Sequence, residues 1–208
     1  ISVCPGGPTS NLITQVSRGN VGLSVTLTAL ASLITVFTIP ILLSKAIAYF
    51  TGNSGVIIQL PILKTMLQIL VITVIPISIG MMIRKRKEAF ALRMEKPMRT
   101  ASTVLFVIIF LIIIIANKDN LTQAFKEVGL PTLLLNLSTM GLGYLSAKLF
   151  GITGKSQISI TIESGIQNGT LAFVIATTML NNLEMGLPTG AYSIWMFITG
   201  GFLMWRLG

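Results

Sequence analysis

The chain has 208 residues, of which 52% are apolar and 10% charged, and its mean hydropathy is +0.84. A soluble domain carries about 25% charged residues, so this composition excludes an ordinary water-soluble fold and makes the lipid bilayer the expected solvent. The absence of histidine and the single cysteine, Cys4, exclude a disulfide framework, a Cys/His metal site and a histidine-based catalytic triad.

The chain opens at Ile1 and runs into the turn-prone stretch CPGGPTSN without an initiator methionine or signal peptide, so an N-terminal part is expected to precede it. In Cys4–Asn11, two prolines and two glycines interrupt regular helix. Thr9, Ser10 and Asn11 are placed to cap a half-helix that runs to about Arg18. Taken alone, the segment could equally be a surface turn.

A membrane span needs roughly 20 mainly apolar residues, and the apolar runs predict spans over 19–50, 56–83, 100–117 and 129–150. A broken span follows over 156–183, and a last one over 185–206. Seven of the fifteen basic residues fall in Arg84–Arg99, which reads as a cytoplasmic loop obeying the positive-inside rule. With that loop inside, alternation of the spans leaves eleven basic residues inside, including Arg18, Lys148, Lys155 and Arg206, against Lys45, Lys118 and Lys126 outside. The C-terminus is then cytoplasmic as well, and the +9 charge implies no nucleic-acid partner. Pro40, Pro61 and Pro76 read as kinks or helix starts.

At the start of the second segment, Asn20, Ser24 and Thr28 recur every four residues and so share one helix face. They fit interhelical packing or, together with the breaks, oxygen ligands for a hard cation such as sodium. Further on, Glu163-Ser164-Gly165-Ile166-Gln167-Asn168-Gly169-Thr170 interrupts the apolar run 156–183. A carboxylate near the centre of a span costs roughly 3 kcal/mol on insertion scales, so Glu163 needs a cavity, an ion or a partner. No other span carries a centrally placed basic residue, which favours a bound cation over an ion pair. By the charge assignment the two breaks run in opposite directions across the membrane. Such pairing is the sequence pointer to an inverted-repeat transporter with its site at the crossing.

CPGGPTSN followed by Arg18-Gly19-Asn20-Val21, together with Glu163-Ser164-Gly165-Ile166-Gln167-Asn168, resembles the two crossover motifs of the bile acid:sodium symporter family. The resemblance covers nearly the whole chain. It implies an all-α, polytopic membrane protein with an inverted-repeat transporter fold and two broken crossover helices, here without about the first three of ten spans. It also implies two sodium ions as coupling ions and no organic cofactor. One ion would be held by Ser10, Asn11, Ser24, Thr28 and Glu163. The other would be held by Glu163, the backbone carbonyls of Ser164 and Ile166, Gln167, and a glutamine on the absent third span. Thr9 and Asn168, at the crossover tips, would face the substrate. Pro8 before Thr9 and the apolar Trp195-Met196-Phe197 depart from commoner family forms, which leaves bile acid recognition less secure than sodium binding.

The expected function is therefore sodium-coupled symport of an organic anion, a bile acid or a smaller oxo- or hydroxy-acid, by alternating access in a bacterial inner membrane. The competing reading is a proton-coupled antiporter or permease of related broken-helix fold in which Glu163 titrates; a proton carrier has no need of the Ser/Thr/Asn cluster. A channel does not call for broken helices at mid-depth. A membrane enzyme would need a nucleophile with a base or a metal set, and Glu163 stands alone, so no enzymatic activity is expected.

Overall fold

The computed structural model describes residues 1–51, 62–71, 75–94, 96–98, 100–101, 104, 108, 118–182 and 184–208. Among these residues the regular structure is helical, apart from a single antiparallel bridge between Gly6 and Gln167. Most of the expected span 100–117, and Pro61, lie outside the described residues.

Helix α1 (Pro8–Val16) begins with Gly7 as its N-cap and Pro8 in its first turn. Proline suits that place, because its missing N–H is one that a helix start leaves unpaired anyway and its φ is already helical. The expected capping role of Thr9, Ser10 and Asn11 is therefore corrected: all three lie inside the helix, and no side chain caps its start. Helix α1 closes in a Schellman turn, with the Gly19 N–H bonded to the Thr14 carbonyl at 2.8 Å, the Arg18 N–H bonded to the Gln15 carbonyl at 3.3 Å, and Arg18 left-handed at φ 57. The half-helix thus ends at Val16 and the chain reverses at once. Asn20 then opens helix α2 (Val21–Thr51) by accepting from the Leu23 N–H at 3.1 Å.

Helix α3 (Ile62–Ile69) falls within the expected span 56–83, and α4 (Ile75–Arg86) begins in it and continues past its end to Arg86. Arg84, Lys85 and Arg86 form the last turn of α4, where cations suit the negative end of the helix dipole. Residues 88–94 are helical too, so the described part of the expected cytoplasmic connection 84–99 is built largely of helix. Lys, Arg, Glu, Ala, Leu and Met are all good helix formers; charge decides which side of a membrane a segment occupies and says nothing of its backbone.

Helix α5 (Lys118–Leu149) starts well before the expected 129 and passes through Pro131. The carbonyls ahead of this proline are satisfied from the side: Thr132 Oγ1 donates to the Val128 carbonyl at 2.7 Å, and Trp195 Nε1 donates to that of Gly129 at 2.8 Å. The chain turns at Gly151, whose φ of 71 lies in the region that favours glycine. Helix α6 (Gly154–Gly165) follows, then helix α7 (Gly169–Val174), a π-helical turn (Ile175–Met179), a 3₁₀ turn (Glu184–Gly186) and helix α8 (Leu187–Leu207).

Val21–Phe50 and Phe125–Leu149 are long and apolar enough to cross a membrane by length and composition. Their outer faces carry apolar residues in the open: Leu30, Leu33, Ile34 and Phe37 on α2, and Leu134, Leu137, Leu142 and Leu145 on α5. In water such stripes would be an aggregation hazard; against lipid tails they cost nothing. Helix α5 packs along α6 and α8, while the short α1 lodges among α2, α6 and α8. The buried apolar residues form two clusters. One joins Cys4, Val36, Ile39, Ile69, Leu171, Ala172 and Ile175; the other joins Ile13, Ile162, Ile166, Tyr192 and Met196. Between them, polar side chains are buried instead.

Candidate ion-binding site

Helix α6 stops at Gly165 because Ile166 turns to extended backbone (φ −99, ψ 93), and helix α7 restarts at Gly169 with Asn168 as its N-cap. The residues of this gap pair with the segment ahead of α1. Gly6 bridges to Gln167, and the Asn168 N–H donates to the Pro5 carbonyl at 2.8 Å. A Cβ on Gly7 would lie 3.5 Å from Asn168 Cα, so the starts of α1 and α7 abut. Two sequence interruptions 153 residues apart therefore meet in one place.

The Glu163 carboxylate faces this meeting point and is 8% exposed. Its Oε2 accepts hydrogen bonds from Ser10 Oγ at 2.7 Å and Ser24 Oγ at 3.0 Å, and its Oε1 accepts from Thr28 Oγ1 at 2.5 Å. Three helices thus converge on one negative charge: α1 brings Ser10, α2 brings Ser24 and Thr28, and α6 brings Glu163. The four-residue spacing of Ser24 and Thr28 does what a helix period requires, stacking both hydroxyls on the face turned to α6. Asn20, one turn earlier in that series, is not at the carboxylate. Its side chain caps α2 and lies 3.4 Å from Ser156 Oγ, and its backbone N–H donates to Ser159 Oγ at 2.7 Å.

Each interruption also holds one amide oxygen without a donor among the described residues. Asn11 Oδ1 and Gln167 Oε1 are buried, and neither has a hydrogen-bond partner among the described residues. A buried oxygen without a partner costs about 1–3 kcal/mol, and a cation is the natural partner for an oxygen that no N–H or O–H reaches. The other amide atom of Gln167 is occupied: Nε2 donates to the Ser164 carbonyl at 2.9 Å. The fully buried side chain of Ile166 anchors the gap in the apolar cluster. Asn168 Oδ1 accepts from the Leu171 N–H at 3.0 Å. Thr9 is half-buried near the start of α1.

Carboxylate, hydroxyl and amide oxygens are the donor set of a hard cation, and no cluster of three or more His, Cys, Asp or Glu occurs among the described residues. The sequence matches the Sodium Bile acid symporter family over residues 1–124, more than half of the chain. The chain belongs to that family. Its relatives include the probable sodium/metabolite cotransporter BASS1 of Arabidopsis thaliana, 31% identical over 99% of this chain and 50% of that protein. The uncharacterized sodium-dependent transporter YocS of Bacillus subtilis is 27% identical over 98% of this chain and 61% of its own length. The human ileal sodium/bile acid cotransporter is 26% identical over 90% of this chain and 53% of its own length. The chain thus spans half to about three fifths of the relatives it matches. Each of these relatives is named as a transporter or cotransporter.

Within this symporter family chain, several residues at the site carry no marker that sequence reading used. Thr14 is fully buried and its Oγ1 lies 3.3 Å from Ser24 Oγ; its four-residue spacing from Ser10 on α1 was the available signal. Ser159, one turn before Glu163 on α6, donates to the Asn20 carbonyl at 3.0 Å. Asn136 on α5 and Tyr192 on α8 are both fully buried and both reach the Gly165 carbonyl.

Proposed function

We propose that this chain forms the ion-binding part of a sodium-coupled symporter for a small organic anion, working by alternating access. The observation that carries the reading is Glu163. A carboxylate in the last turn of α6 is surrounded by Ser10, Ser24 and Thr28 hydroxyls, beside a chain gap where Gln167 keeps a buried amide oxygen without a donor among the described residues. Sodium would replace the hydroxyl protons as the partner of the carboxylate, with the hydroxyl lone pairs turned to the ion. One site would use Ser10, Asn11, Ser24, Thr28 and Glu163. A second would use Glu163, the Ser164 and Ile166 carbonyls and Gln167, so that one carboxylate serves both ions.

The coupling follows from where these groups sit. The ligands come from both interruptions, and α1 and α7 start side by side, so a cation bound between them would hold the crossing together. Helix starts carry partial positive charge, and the Asn168 NH2 group is uncommitted, so an anionic carboxylate is the substrate chemistry favoured beside Thr9 and Asn168. Opposed half-helices of this kind support an inverted-repeat arrangement in a membrane whose cytoplasmic side carries Arg84–Arg99 and the C-terminus.

Uptake of labelled organic anions into proteoliposomes holding the complete protein tests the reading. Transport should require an inward sodium gradient and persist when the proton gradient is collapsed with an ionophore. Uptake that follows the proton gradient and ignores sodium would establish the proton-coupled antiporter or permease instead.

A further inference from the structure

The last carbonyl of α6 is held by donors from two other helices. Gly165 O accepts two hydrogen bonds, from Asn136 Nδ2 at 2.8 Å and from Tyr192 OH at 2.9 Å. The donors come from different helices, α5 and α8. Both side chains are fully buried, and Asn136 is oriented in turn by Thr199, whose Oγ1 lies 2.9 Å from Asn136 Oδ1. Helix ends leave their last carbonyls without partners, so some donor is needed here. Two buried donors on one oxygen are more than satisfaction demands, and they fix a direction.

That direction matters because of the neighbouring peptides. The Ser164 carbonyl receives Gln167 Nε2 at 2.9 Å, and Gln167 is bridged to Gly6, which sits against Glu163. The chain turns extended at Ile166, and in extended backbone successive carbonyls alternate in direction. Pinning the Gly165 carbonyl toward α5 and α8 therefore turns the Ile166 carbonyl away from those donors and fixes its direction in the gap that precedes Gln167.

We infer that Asn136 and Tyr192 are positioning residues for cation binding: they clamp the Gly165 carbonyl and so set which backbone oxygens of the α6–α7 gap are presented to the ion, without touching it. The inference rests on the proposed sodium site. It also gives α5 and α8 a role in the ion equilibrium, since any movement of either helix against α6 pulls on the same oxygen.

The test is equilibrium binding of radiolabelled sodium to the complete purified protein, with lithium as competitor, for wild type, Tyr192→Phe, Asn136→Ala and Glu163→Gln. Tyr192→Phe removes one hydroxyl and keeps the packing of the ring. It should raise the sodium Kd about three- to tenfold, the loss of one or two hydrogen bonds' worth of orientation, and Asn136→Ala should raise it at least as much. The sodium-to-lithium preference should change in both, while sodium bound at saturation per folded molecule stays constant. If Tyr192→Phe keeps the wild-type Kd and lithium preference and only unfolds at lower temperature, the clamp is a packing feature and the inference is overturned. Glu163→Gln separates the two levels: wild-type sodium binding in that variant would remove the underlying site, whereas loss of binding there with an unchanged Tyr192→Phe would remove the clamp alone.

Discussion

Gly6 and Glu163 share one space: a Cβ on Gly6 would overlap the Oε1 atom of the Glu163 carboxylate. The backbone of the first interruption is thus the wall against which the carboxylate of the second rests. Glycine is required at position 6 for this close approach, whatever its backbone angles. Gly7, next along, has ordinary room, with extended angles (φ −122, ψ 177) open to any residue.

Gly6→Ala should therefore weaken sodium binding while Gly7→Ala is tolerated. Overpacking a tight site costs about 1–3 kcal/mol, which corresponds to roughly five- to hundredfold in Kd. Equal sodium affinities for the two variants would show that the wall does not set the carboxylate's position.

Ser24→Ala and Thr28→Ala each remove one hydroxyl from the carboxylate. In the ion-bound state that hydroxyl oxygen would be a ligand of sodium, so its loss should raise the sodium concentration for half-maximal uptake in each variant, by about tenfold for each 1.4 kcal/mol of lost coordination. The amount of folded protein recovered from the membrane should stay near wild type. Unchanged sodium dependence in both variants would return these residues to helix packing.

Asn20 belongs to the same four-residue series but caps α2 and joins it to α6. Asn20→Ala should cost about 1 kcal/mol of stability, as N-cap deletions do, and leave the sodium Kd alone. Thermal unfolding alongside sodium titration separates the two effects. A shift in Kd without loss of stability would move Asn20 to the ion.

The contrast between Asn20 and its neighbours marks how far the sequence could be read. Glu163 stood out because charge inside an apolar run is costly, and Ser24 and Thr28 because their spacing matches a helix period. The meeting of the two interruptions was legible as paired composition, though the bridge between Gly6 and Gln167 was not. The clamp of Asn136 and Tyr192 was not legible: Thr132 four residues before Asn136 marks at most a polar helix face, and the hydrogen bonds the two residues make to Gly165 cross 29 and 27 residues of chain. The helix over residues 88–94 was not legible in the charge of that connection, because basic residues bear on the side of the membrane and are at the same time good helix formers.

The proposed orientation rests on the same basic residues. In a Cys4→Ala background, Lys87→Cys should react with a membrane-impermeant maleimide only from the cytoplasmic side, and Glu184→Cys only from outside. Reaction of both from one side would invert or break the alternation of spans.

In the proposed function the Glu163 charge holds the ion. Glu163→Gln keeps the shape and removes a full negative charge, and unit charges about 4 Å apart interact by roughly 4 kcal/mol at an effective dielectric near 20. Even a third of that is a tenfold loss of affinity. Radiolabelled sodium binding to the complete, folded Glu163→Gln protein should therefore fall by at least about tenfold. Sodium binding at wild-type affinity in that variant would contradict the account.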